Sequence, residues 1–77
     1  MDRIDKALAR LPVELRRKVV VVIQCIEQGE FLDLDVKKLK GEKDLYRVRK
    51  GRVRVKFRRV EGLNIVISVE RRGDTTY

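Results

Sequence analysis

Leu45-Tyr46-Arg47-Val48-Arg49-Lys50-Gly51-Arg52-Val53-Arg54-Val55-Lys56-Phe57-Arg58-Arg59-Val60 is the stretch on which the fold turns. Side chains in a strand point alternately to its two faces, so an apolar/polar alternation reads as one buried and one solvated face. Val53, Val55 and Phe57 fall on one side, and Arg52, Arg54, Lys56 and Arg58 on the other. Ahead of Gly51, Arg47 and Arg49 share a side, opposite Tyr46 and Val48. The spacing predicts strands over Leu45–Lys50 and Arg52–Val60 with a tight turn at Gly51. Glu61-Gly62 then turns the chain into a third strand, Leu63–Arg71, whose Ile65, Ile67 and Val69 are expected to make its apolar face. These three strands form an antiparallel meander with a cationic surface.

Such a sheet needs a cover for its apolar face, and the N-terminal half supplies one. Ile4, Ala7, Leu8 and Leu11 recur at helical spacing, with Asp2 as an N-cap. Pro12 stops that helix and suits the start of another. In the second helix Leu15, Val19, Val22, Ile23 and Ile26 form an apolar stripe, and Gly29 ends it as the C′ residue. The result is an α+β fold, a helical hairpin packed on one face of a three-stranded sheet. Residues 30–44 read as a connecting segment that tucks Leu34, Val36 and Leu39 under the domain. Asp33 and Asp35 lack the further carboxylates a metal site requires and read as solvated loop residues.

Seventy-seven residues make one domain, 1–77, near the size where a single core only just offsets chain entropy. The net charge is +8 and lies almost wholly in one half. Residues 1–39 carry 8 basic and 7 acidic side chains, residues 40–77 carry 12 and 5. That asymmetry points to a polyanion bound by the sheet. The chain has no histidine, which removes imidazole acid/base chemistry, and one cysteine, Cys25, which fits a reducing cytoplasm. No apolar run reaches membrane-spanning length, and no cofactor motif is present.

Three segments carry a resemblance: Leu39-Lys40-Gly41, Leu45 through Arg54, and Val69-Glu70-Arg71-Arg72-Gly73-Asp74-Thr75-Thr76-Tyr77. Together they resemble the RelE/ParE toxin superfamily, as does the order of helices and strands. The resemblance implies a type II toxin–antitoxin module. Its RelE-type toxins are ribosome-dependent mRNA endoribonucleases that inhibit translation, neutralised by a cognate RelB-like antitoxin, with a toxin–antitoxin heterotetramer as one assembly. ParE-type members are the alternative, a non-catalytic inhibitor or binding module that acts on DNA gyrase. The resemblance places Arg47, Arg49, Arg54, Arg72 and Tyr77 at catalytic positions. Lys40, Lys50, Arg52, Lys56, Arg58 and Arg71 are the cations expected to hold RNA around them. The family's usual N-terminal strand has no counterpart before the first helix, which leaves an expected bare sheet edge.

The chemistry of in-line RNA cleavage sets what these residues must do. A group takes the 2′-proton, cations neutralise the phosphorane, and a donor protonates the leaving 5′-oxygen. Arginine stays protonated, so Arg47 and Arg49 stabilise charge and are poor bases. Cleavage then rests on Arg49, Arg54 and Arg72, with Lys50 or Lys56 as the groups able to carry a proton.

Overall fold

The structure, a computed structural model, describes residues 3–41 and 43–71. Asp2, the expected N-cap, lies outside them, as do Arg72 and Tyr77. Helix α1 spans Arg3–Ala9 and α2 spans Val13–Gln28. Four strands follow, β1 Asp35–Lys38, β2 Leu45–Lys50, β3 Val53–Val60 and β4 Leu63–Arg71, in the antiparallel order β1-β2-β3-β4. The expected helical hairpin on one sheet face is present, and both helices lie against β4.

The helix ends are built from local chemistry. Pro12 takes the N-cap position of α2 with extended backbone, φ −56° and ψ 151°. Arg16, in the first turn of α2, reaches back to α1. Its Nε donates to Leu8 O at 3.0 Å, and its Nη2 to Leu11 O at 3.0 Å and Ala9 O at 3.4 Å. One guanidinium thereby gathers the carbonyls at and just past the C-terminal end of α1, where the helix dipole favours a cation. Gly29 ends α2 at φ 76°, a left-handed conformation that glycine adopts without Cβ strain. Gly29 N donates to Ile26 O at 3.1 Å and Glu30 N to Cys25 O at 2.9 Å, the paired bonds of a Schellman cap. Asn64 Nδ2, from β4, donates to the same Ile26 O at 2.9 Å and ties the sheet to the helix end.

The core gathers Leu11, Val19, Val22 and Ile26 from the helical side with Val48, Val53, Val55 and Phe57 from the sheet. Phe57 is stacked between Phe31 and Tyr46, at centroid distances of 5.6 and 5.3 Å. All three aromatic rings among the described residues are thus spent on packing. Cys25 is half-buried.

Two sequence expectations are corrected. The segment 30–44 is not wholly connecting, because Asp35–Lys38 pairs with β2 as a fourth strand, with Val36 opposite Val48. The apolar face of β4 is not Ile65, Ile67 and Val69. A register shift lies between Lys56 and Phe57, so that Lys56 faces Ser68 while Phe57 faces Val66. The extra residue is Ile67, and one inserted residue reverses the facing of everything before it. Val69 and Val66 pack on the core, whereas Ile65, opposite Arg58, is 47% exposed. Leu63 and Val60, paired with each other at the strand ends, are also exposed.

Candidate nucleic-acid interface

Residues directly opposite in an antiparallel pair share a face, so the registers assemble the uncovered side of the sheet row by row. One row reads Asp35, Arg49, Arg54, Glu70 across β1 to β4. The next reads Lys37, Arg47, Lys56, Ser68. A third brings Leu45, Arg58 and Ile65 together. The alternation of β2 and β3 thus places Arg47, Arg49, Arg54, Lys56 and Arg58 on one patch. Neighbouring strands are about 4.8 Å apart, so Arg49 and Arg54 stand at a spacing that suits two forks on one phosphate.

Each cation is held differently. Arg49 Nε lies 3.5 Å from Asp35 Oδ2, and Arg47 Nη1 lies 4.0 Å from the same oxygen. Lys56 Nζ lies 3.2 Å from Glu70 Oε2. Arg58 Nη1 donates to Lys43 O at 3.2 Å, which anchors it to the loop between β1 and β2. The Arg47 side chain is only 14% exposed. Its Nη1, like Ser68 Oγ in the same row, is buried without a hydrogen-bond partner among the described residues. A buried donor left unmade costs about 1–3 kcal/mol.

Other expected contacts lie off this patch. Lys50 and Arg71 both stand opposite Val53, on the helix-covered side of the sheet, and are exposed at its end. Arg52 falls in the turn between β2 and β3 rather than in β3. Lys40 is in the β1–β2 loop, where it lines a shallow depression with Lys38 and Lys43. The residues that sequence reasoning missed are Asp35, Lys37 and Glu70. Glu70 was legible by its place next to Val69, on the side opposite the apolar face, and Asp35 only once β1 is paired. The patch holds no aromatic ring among the described residues, so its chemistry suits a phosphate backbone and offers no base-stacking platform of its own.

The geometry defines a class: an α+β protein whose helical hairpin covers one sheet face and whose other face is a cationic patch edged by carboxylates. The chain is similar to a chain of the RelB-RelE antitoxin-toxin complex from Methanococcus jannaschii, with a TM-score of 0.79 and 25% identity. The likeness covers 92% of this chain and 86% of that one, and the fold is RelE-like. No protein-family model and no curated protein matches the sequence. No helix among the described residues is long and apolar enough to cross a membrane.

Proposed function

We propose that this chain is the toxin of a cytoplasmic toxin–antitoxin pair, an endoribonuclease that cuts mRNA on the ribosome and is silenced by an acidic, RelB-like partner. The observation that carries this reading is the alignment of Arg47, Arg49, Arg54, Lys56 and Arg58 on the uncovered sheet face. The likeness to a chain of a RelB-RelE antitoxin-toxin complex supports the setting. Cross-strand like charges repel, and a polyanion is the ligand that turns this repulsion into attraction. Arg49 and Arg54 would grip the scissile phosphate, with Arg47 beside them to neutralise the phosphorane. Arg58 would track the flanking backbone on this face, and Lys40, Lys50, Arg52 and Arg71 would meet it where it runs past the loops and the sheet end. Arg72 and Tyr77 keep the roles that the family resemblance implies, a further phosphate contact and a ring to order the nucleotide.

Induction of the chain in a bacterial host, followed by mapping of mRNA 5′ ends, tests the reading. Codon-phased cuts are expected, with protection when the acidic partner is co-expressed. A DNA-damage response with intact mRNA would instead identify a gyrase inhibitor and overturn it.

A further inference from the structure

RNA cleavage needs a proton acceptor, and the arginines of the patch cannot serve. Two carboxylates that the cleavage chemistry has not yet used lie at opposite edges of the same face. Asp35 on β1 touches Arg49 and Arg47. Glu70 on β4 stands opposite Arg54 and touches the Lys56 ammonium. These two sites differ in what they present. At the β1 edge the group open to solvent beside the Arg49 guanidinium is a carboxylate, 54% exposed. Toward the β4 edge the Lys56 ammonium of β3, 30% exposed, stands beside the Glu70 carboxylate, 48% exposed. An in-line reaction has the same polarity: the base and the acid act on opposite sides of phosphorus.

We infer that Asp35 is the general base and Lys56 the general acid of the cleavage reaction, an assignment that rests on the endoribonuclease reading above. Asp35 engages Arg49 through Nε, which leaves the Nη donors of that guanidinium for a phosphate oxygen. A carboxylate and a phosphate held on one guanidinium are neighbours, and the 2′-hydroxyl is attached one carbon from the phosphate-bearing 3′ position. An Asp35 oxygen therefore lies within reach of the 2′-O–H when the phosphate sits between Arg49 and Arg54. Asp35 and Lys56 stem from strands two intervals apart, about 10 Å across the sheet, and from neighbouring rows, about 7 Å along it, so their backbones stand about 12 Å apart and their side chains close the difference. A phosphorane with a hydrogen bond at each apex spans roughly 9 Å, given bonds of about 2.8 Å at the two ends.

The step balances. The Asp35 carboxylate takes the 2′-proton as the 2′-oxygen forms its bond to phosphorus. The bond from phosphorus to the 5′-oxygen breaks, and that oxygen takes a proton from Lys56 Nζ. The products are a 2′,3′-cyclic phosphate and a 5′-hydroxyl. Water returns a proton from Asp35 and supplies one to Lys56. Glu70 holds the ammonium in place and is a positioning residue.

The test uses the full chain on mRNA-programmed ribosomes. Asp35→Asn should lower kcat about 10²-fold or more, the scale of a lost general base, with KM unchanged or lower because a negative charge has left the phosphate site. In Asp35→Ala, added formate should restore cleavage in proportion to its concentration, which a structural role does not allow. Lys56→Ala should be impaired on ordinary RNA and recover on RNA whose scissile 5′-oxygen is replaced by sulfur, a leaving group that needs no proton. Full kcat in Asp35→Asn, or a loss in Asp35→Ala that formate leaves untouched, overturns the inference while wild-type cleavage still upholds the function. An inactive wild-type chain overturns both.

Discussion

Replacement of both Arg49 and Arg54 by alanine is expected to abolish RNA cleavage while leaving the fold intact or slightly more stable. The two residues face each other across β2 and β3, so under the proposed function they would share one phosphate rather than hold separate ones. Each charge-assisted bond to a phosphate contributes about 1.5–3 kcal/mol, and loss of one donor to a developing anion costs about 10²-fold in rate. The single variants should each fall by about 10²-fold, and the double variant to background. Stability moves the other way. Removing like charges from opposite strand positions relieves repulsion of a few tenths of a kcal/mol, against which the half-exposed Arg49–Asp35 pair weighs about as little, and neither side chain belongs to the core. Rates on programmed ribosomes and thermal melting by circular dichroism check the two halves of this result. A melting temperature that falls with activity would mean that the arginines support the fold instead.

The second large effect concerns the layer beneath. Val48 is fully buried, with Val36 and Val55 opposite it on either side, in the cluster that joins α2 to the sheet. Val48→Asp places an unpaired carboxylate in that apolar centre, a change among those that cost more than about 4 kcal/mol. A chain of 77 residues has roughly 4–12 kcal/mol of stability in all. The variant should be unfolded at 37 °C, without a cooperative melting transition and without activity. A native-like melt would show that this centre is less closed than the packing indicates. Arg47 and Arg49 flank Val48 in sequence, so β2 carries core and site on alternate residues. Loss of activity there can be assigned to the site only when the melt is intact.

The strands that alternate cleanly were the legible ones. In β3 every second residue from Val53 to Arg58 is a cation, and a single parity explains both core and patch. Two places lacked that contrast. The run Ile65-Val66-Ile67 is apolar throughout, so either parity satisfies it, and only pairing with β3 locates the extra residue at Ile67. β1 holds one apolar residue, Val36, between charged neighbours, too little pattern to separate an edge strand from a loop. Because β1 was hidden, so was the contact of Asp35 with Arg47 and Arg49. The catalytic candidates on β2 and β3 came together as the alternation required. Lys50, Arg52 and Arg71 did not join them, since strand ends and turns set their direction rather than strand parity. The long reach of Arg16 to α1 has no sequence signal at all, because it depends on how two helices meet.

The proposed seat of the RNA backbone is the uncovered sheet face. Titration of a short single-stranded RNA into the isotope-labelled chain, followed by backbone amide chemical shifts at low salt, tests this directly. The largest shifts are expected at Arg47, Arg49, Arg54, Lys56 and Arg58, with α1 and α2 unmoved. Shifts centred on the helices, or none on β2 and β3, would contradict it.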